Sequence, residues 1–116
     1  MQFEDLDVWK KSAALCAEIY KDLAGLGDFG FKDQITRSAL SIPSNIAEGF
    51  ERSSNREILN FLNIAKGSAG ELRAQIYIGI KIHYIEHRVG QKWIAETLEI
   101  SKMLAGLRKY YRTNKS

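Results

Sequence analysis

Hydrophobic and polar residues recur with the period of an α-helix along four segments of this 116-residue chain. Apolar side chains spaced three or four residues apart line one side of a helix, whereas a strand repeats every second residue. This spacing predicts helices over about residues 4–25, 31–51, 55–87 and 91–112. The apolar side chains on one side of each predicted helix form a stripe. In chain order, the four stripes are Leu6, Trp9, Ala13, Cys16, Tyr20 and Leu23; Ile35, Ala39, Ile42, Ile46 and Phe50; Ile58, Phe61, Ala65, Ala69, Leu72 and Ile76; and Trp93, Thr97, Ile100, Leu104, Leu107 and Tyr111.

Capping and turn residues mark the ends of these helices. Gly25 and Gly27 predict the end of the first helix, because glycine commonly follows the last helical turn. Ser54 and Glu57 have the spacing of a capping box and predict the start of the third helix. Gly90, which follows two basic residues, predicts the end of that helix at about residue 87.

Two segments leave room for another interpretation. Isoleucines at every second position between Ile76 and Ile82 are typical of a half-buried strand. No turn signal separates them from the helical pattern before them, and a lone strand is not stable, so we favour a helix. Pro43 lies inside the second predicted helix and predicts a kink there, because it removes a backbone donor.

Four helices with short connections predict an all-α fold, an antiparallel up-down-up-down four-helix bundle that forms one domain over residues 1–116. The composition, 45% hydrophobic and 27% charged, is typical of a globular protein. A single cysteine, Cys16, excludes an intrachain disulfide framework and favours a reducing compartment. We expect no membrane span and no signal peptide, and therefore a cytoplasmic protein.

Charge is distributed unevenly between the two halves of the chain. Residues 1–57 contain seven Lys/Arg and ten Asp/Glu, whereas residues 58–116 contain ten and four. A surplus of basic residues favours binding to a polyanion, because phosphates that Lys or Arg neutralise release their counterions. The alternative explanation is that cations near helix C-termini complement the helix dipole. The candidate nucleic-acid residues are Lys81, Arg88, Lys92, Lys102, Arg108, Lys109, Arg112 and Lys115.

Polar residues flank the apolar stripes of the second and third predicted helices. The set comprises Ser41, Pro43, Ser44, Asn45 and Glu48 on the second helix and Ser68 and Glu71 on the third. We expect these side chains to meet in a hydrogen-bonded network, within one chain or between copies. The alternative is that Glu48 and Glu71 form a pair of catalytic carboxylates. We disfavour it because no histidine accompanies them.

Other candidates for chemistry are weak. Residues 83–87 match the H-x-x-E-H order of one zinc peptidase class, but a catalytic zinc needs a third protein ligand, and His83 and His87 are the only histidines. Cys16 occupies an apolar stripe, as a core residue would. We therefore expect that the protein has no enzymatic activity, no metal site and no cofactor.

Two segments resemble a known family. They are SIPSNIAEG at residues 41–49 and the pattern A-x-G-S-x-x-E-L at residues 65–72; FEDL and VWK within residues 3–10 match as well. The chain is similar, over essentially its whole length, to the bacterial four helix bundle proteins, also called large-subunit ribosomal RNA intervening-sequence proteins. The resemblance to the accessory protein of diversity-generating retroelements is more remote.

This resemblance implies a four-helix bundle that assembles into a ring, typically a pentamer, without demonstrated catalysis. The retroelement relative implies a basic ring that contacts a reverse transcriptase and its RNA. Two functions are therefore open: a homo-oligomeric scaffold that binds RNA or DNA through its basic surface, or an adaptor for a protein such as a reverse transcriptase.

Overall fold

The computed structural model describes residues 2–113, most of which belong to four long helices. A short 3-10 helix, Phe3–Asp5, precedes α1 (Asp7–Asp22), α2 (Phe29–Phe50), α3 (Asn55–Lys81) and α4 (His87–Thr113). The predicted bounds agree to within about three residues, except at the turn before α4. Residues 2–113 contain no strand, so the all-α prediction is confirmed.

Each helix runs antiparallel to its neighbours. Ser41 meets Ser68 and Gly49 lies against Phe61, so α2 and α3 run in opposite directions. The bundle is 47 Å long and 20 Å across, as four helices packed side by side require. Two ion pairs give the same antiparallel relation for α1 and α4: Lys11 with Glu99, and Glu18 with Lys92.

The core is formed by the predicted stripes of α2, α3 and α4, but α1 differs from its prediction. Val8, Leu15 and Ile19 are the buried large side chains of α1, together with Cys16. Trp9 is only half-buried, and Tyr20, which the stripe placed inside, is 45% exposed. α1 therefore has two apolar sides, of which one faces the core and the other faces outward.

The isoleucine-rich segment is helical, as predicted. α3 continues to Lys81, and Ile76 is fully buried in the core. Ile78 and Ile82 are 51% and 45% exposed, because a helix turns alternate residues to different sides. The single chain thus leaves large apolar side chains of α3 uncovered.

The predicted boundary between the third and fourth helices is wrong. α3 ends at Lys81 rather than at about residue 87, and α4 begins at His87 rather than at about residue 91. His83 has a φ of 63°, the left-handed backbone that ends many helices. The next two backbone amides, of Tyr84 and Ile85, both donate to the carbonyl of Gly79 and close the end of α3.

The residues predicted to end the third helix begin α4 instead. Glu86 accepts a hydrogen bond from the backbone amide of Val89 at 2.9 Å and so caps the first turn of α4. Gly90 is buried in that turn against the side chain of Ile80. This glycine therefore allows α3 and α4 to pack closely, rather than ending a helix.

Other local features of the helices agree with their sequence signals. Ser54 accepts from the amide of Glu57 at 3.2 Å, which confirms the predicted cap of α3. Asp28 caps α2 by accepting from Phe31, and this hydrogen bond lowers the pKa of Asp28. α2 passes through the buried Pro43 without interruption, and the kink there stays a prediction.

Candidate functional site

A polar cluster joins α2 to α3 at the middle of the bundle. The hydroxyl oxygens of Ser41 and Ser68 are 2.7 Å apart, and Ser68 is buried. The side-chain amide of Asn45 donates to both the carbonyl and the hydroxyl of Ser41, at 2.8 and 3.0 Å. These three side chains therefore satisfy one another within a single chain, without a second copy.

The remaining residues of the expected network lie elsewhere. Glu48 forms an exposed ion pair with Arg52 at 2.7 Å, one helical turn away. Glu71 is exposed on α3, and it forms no ion pair within residues 2–113. Ser44 is exposed, whereas Pro43 is buried. Glu48 and Glu71 thus do not join the serine cluster, and the arrangement offers no carboxylate pair for acid-base chemistry.

The exposed side of α3 is unusually apolar. From Ile64 to Ile82, the residue that caps α3, the exposed residues are Ile64, Gly67, Glu71, Ala74, Tyr77, Ile78, Lys81 and Ile82; we call all of them except Lys81 the α3 face. Its four large apolar side chains are between 44% and 53% exposed. Gly67 adds no side chain to this face, and no atom lies within 4 Å of where its Cβ would be. Contiguous exposed apolar surface of this kind marks interaction sites.

The candidate nucleic-acid residues do not form one patch. Arg88 and Arg112 lie in the first and last turns of α4, about 36 Å apart at a rise of about 1.5 Å per residue. Lys92, between them, donates to Glu18 at 2.9 Å and lies 3.9 Å from Glu96. The hydrogen bond to Glu18 raises the pKa of Lys92, so this ammonium group is already paired.

The unneutralised cations are concentrated at the C-terminal end of α4. Residues 100–113 carry four basic side chains and no Asp or Glu. Lys102, Lys109 and Arg112 are exposed, whereas Arg108 is half-buried, with its Nε unpartnered. Lys81 lies at the opposite end of the bundle with Arg88. Lys115 falls outside the described residues.

Antiparallel packing adds two residues that the sequence pattern missed. Arg56, in the first turn of α3, belongs to the same end of the bundle as the last turn of α4 and lines an open depression of about 620 Å³. The same end carries two acidic residues, Glu51 at the C-cap of α2 and Glu57, which lines the same depression. Tyr110 is 55% exposed, while its neighbour Tyr111 packs on Phe50. We call Arg56, Lys102, Lys109 and Arg112 the basic end; Tyr110 lies among them. Counting charges along the chain could not bring Arg56 to this group, since only the fold does.

The weaker candidates for chemistry find structural roles. His83 lies in the turn before α4 and His87 is the first residue of α4, so the two histidines are not presented by one helical turn. Within residues 2–113, no three His, Cys, Asp or Glu side chains are grouped as a metal site would require. Burial raises the pKa of the Cys16 thiol, the opposite of what activates a nucleophile.

Every helix of the described chain falls short of the apolar length needed to cross a bilayer.

Comparison with known proteins identifies the family. The family model described as 23S rRNA-intervening sequence protein matches residues 4–106. Among solved structures, the chain is similar to a protein of unknown function from the S23 ribosomal protein family of Bacteroides thetaiotaomicron. The two share 31% identity and a TM-score of 0.82, over 88% of this chain and 98% of the other. No curated protein matches. The resemblance inferred from the sequence is confirmed: this chain belongs to the 23S rRNA-intervening sequence protein family.

Proposed function

We propose that this protein is a self-associating helical scaffold without catalytic activity, which binds RNA or DNA through its basic end. The observation that carries the proposal is the apolar α3 face, which the single chain leaves exposed to water. The nucleic-acid part rests on the separate observation that the last turns of α4 carry cations without acidic partners.

Self-association follows from the hydrophobic effect. Burial of apolar surface contributes roughly 25 cal/mol per Å², and the core of this bundle is already filled by other side chains. Ile64, Ile78 and Ile82 can therefore leave water only by contact with another molecule. The resemblance to ring-forming relatives supports a second copy as that molecule, with a pentamer as the expected assembly.

Binding of nucleic acid follows from charge and from an exposed ring. Lys109 and Arg112 have no acidic residue within two turns of α4, whereas Lys102 has Glu99 one turn before it. The ammonium and guanidinium groups of Lys109 and Arg112 can therefore replace condensed counterions when they bind the phosphates of a nucleic acid. Tyr110 offers an exposed aromatic ring among these cations, on which an unpaired base can stack. Together these features favour single-stranded segments over a regular duplex.

The perturbed ionisable groups support a structural interpretation rather than catalysis. The pKa of Glu18 is lowered by its hydrogen bonds from Lys92 and Trp93, and that of Asp28 by its role as a helix cap. Catalytic carboxylates commonly show the opposite shift, because burial raises their pKa. The buried thiol of Cys16 fits the reducing cytoplasm that we propose as the location.

The first test is the mass of the particle in solution. We expect light scattering at micromolar concentration to give a multiple of the 13.2 kDa chain mass, about 66 kDa for five copies. Association driven by the apolar α3 face should persist in high salt, because hydrophobic contacts are not screened. A particle of 13.2 kDa under these conditions would remove the scaffold proposal.

The second test compares the two basic groups at the ends of the bundle. K109Q/R112Q and K81Q/R88Q each remove two positive charges from exposed positions, so they are matched controls for each other. We expect K109Q/R112Q to weaken RNA binding about tenfold at low salt and to reduce the log-log salt slope by about 1.5–2. K81Q/R88Q should change both quantities much less.

Electrophoretic mobility shift of a single-stranded RNA across a salt series measures both effects. Equal losses in the two variants would show that binding is spread over the whole surface and would remove the basic end as the site. If micromolar wild-type protein shifts neither RNA nor DNA at low salt, the nucleic-acid part fails. The alternative, an adaptor for a protein partner such as a reverse transcriptase, would then be favoured.

A further inference from the structure

The outward apolar side of α1 forms a groove with α2. The groove has a volume of about 460 Å³ and continues past Tyr20 into a second depression that reaches Ala24 and Phe29. Small and large apolar side chains both line it. We call it the α1–α2 groove; its principal residues are Trp9, Ala13, Ala17, Tyr20, Leu40 and Pro43.

These residues explain why α1 is apolar on two sides. Val8, Leu15 and Ile19 already supply the core, so Ala17 and Tyr20 are not needed for folding of the single chain. Tyr20 and Leu40 are 45% and 48% exposed, and Phe29 at the end of the second depression is 72% exposed. Aromatic side chains in a desolvated pocket supply most of the binding energy in protein interfaces.

The α3 face has the shape that this groove requires. From Ile64 to Ile78 it extends about 21 Å, and from Trp9 to Ala24 the groove extends about 22 Å, at about 1.5 Å per residue. Gly67 and Ala74 between the isoleucines let another backbone approach closely. A helix with two protruding isoleucines can therefore lie in a groove to which α1 contributes Ala13 and Ala17 and α2 contributes Ala47.

The charges of the two surfaces are also complementary. Glu71 is the only carboxylate of the α3 face and lies midway between Ile64 and Ile78. Lys10 and Lys21, both exposed, flank the groove on α1, and neither forms an ion pair within the described chain. A carboxylate at the centre of one surface would thus meet the basic rim of the other, which fixes the register of contact.

We infer that the α3 face of one copy inserts into the α1–α2 groove of the next copy. This inference rests on the proposed self-association and specifies which surfaces produce it. The contact is heterologous, because two different surfaces of the same chain meet; each copy therefore keeps one free groove and one free α3 face until a ring closes. The serine cluster of α2 and α3 stays within each copy and does not contribute to the interface.

Two single substitutions block the two surfaces separately. A74E places a carboxylate on the α3 face, and A17E places one in the groove; both positions are exposed in the single chain. Glutamate is a good helix former, so the bundle should fold. A carboxylate buried in the contact, with a side chain larger than alanine, should weaken association more than about a hundredfold. A95E, at an exposed position of α4, is the matched control and should assemble as the wild type does.

Mixing the two variants tests the heterologous contact directly. Each variant alone should be a 13.2 kDa monomer by light scattering, with the helical circular dichroism of the wild type. A 1:1 mixture should form a heterodimer of about 26 kDa and no larger species, since one intact groove and one intact α3 face remain. A second pair of variants, I78E and L40E, replaces large side chains on the same two surfaces and should give the same results. This pair replaces the first if A74E or A17E does not fold.

Other outcomes separate the two proposals. A17E that assembles like the wild type, or two monomeric variants that do not combine, would overturn the groove contact while self-association stands. A monomeric wild type would overturn the proposed scaffold and this inference together.

Discussion

Trp93→Ala is expected to lower the free energy of unfolding by about 3–5 kcal/mol, the cost of truncating a fully buried aromatic side chain. Trp93 is 0% exposed at the junction of α4 with α1. Its indole N–H donates to a carboxylate oxygen of Glu18 at 3.1 Å. The substitution therefore leaves a cavity and removes a link between the first and last helices. Domains of this size are stable by about 5–15 kcal/mol, so the loss is a large fraction of the total.

Trp93→Phe separates these two contributions. Phenylalanine retains most of the apolar contact but cannot donate to Glu18, so we expect a smaller loss of about 1–2 kcal/mol. Urea unfolding followed by circular dichroism, at one fixed protein concentration, measures both variants. A loss below about 1 kcal/mol for Trp93→Ala would contradict a core position for this residue.

The pH dependence of Trp93→Phe gives a second readout. Hydrogen bonds from Lys92 and Trp93 lower the pKa of Glu18. A lowered carboxyl pKa contributes stability above the ordinary pKa of glutamate, and that contribution is lost as pH falls through the lowered value. The stability difference between wild type and Trp93→Phe should therefore be largest near neutral pH and shrink in acid.

The helices were predictable from sequence because their core stripes are long and regular. The stripe of α2 contains no competing pattern; from Ile35 to Ile46 it is buried as expected, and Phe50 at its end is half-buried. The prediction for α1 was right for Leu6, Cys16 and Leu23, which are buried, but wrong for Tyr20, because α1 carries two apolar stripes and periodicity alone cannot rank them. Burial of Ile19 rather than Tyr20 is decided by the other three helices.

The turn between α3 and α4 could not be located from local signals. Its left-handed residue is His83, whereas glycine is the residue that usually marks such a position. Gly79 and Gly90 lie inside helices, where the side chains of Ile85 and Ile80 need their space. The glycine that looked like a terminator is thus a close-packing residue, which only the three-dimensional contact reveals.

The candidate site was predictable only in part, for a related reason. The contact between Ser41 and Ser68 follows from two polar residues beside two core stripes of adjacent helices. Glu48 lies one turn further along α2, where Arg52 provides a nearer partner than any residue of α3. The α1–α2 groove gave no separate sequence signal, because Trp9 and Tyr20 looked like core residues.

The segment SIPSNIAEG acquires a physical explanation from these contacts. Ile42 and Ile46 fill the core, and Ser41 and Asn45 form the polar cluster with α3. Gly49 ends the segment at a point where α2 lies close against Phe61 of α3. The part of the sequence that carries the family resemblance therefore specifies how α2 packs on α3, which accounts for its presence without any catalytic role.

Gly49→Ala tests that explanation, because a methyl group has no room at this position. A Cβ on Gly49 would lie 2.9 Å from the Cβ of Phe61, which is bonded directly to the backbone of α3 and moves only with it, and at an ordinary contact distance of 3.6 Å from the carbonyl oxygen of Ile58. Arg52 lies over the Phe61 ring at 5.1 Å and hinders its retreat. Overpacking costs about 1–3 kcal/mol, and alanine's higher helix propensity recovers at most about 1 kcal/mol.

We therefore expect Gly49→Ala to lower the free energy of unfolding by about 1–2 kcal/mol. Gly106→Ala is the matched control, because no atom lies within 4 Å of its added Cβ; there the gain in helix propensity should act alone and raise stability by about 0.5–1 kcal/mol. Urea midpoints of the two variants should thus move in opposite directions from the wild type. If both rise together, the spacing of α2 and α3 is not set by Gly49, and the family segment needs another explanation.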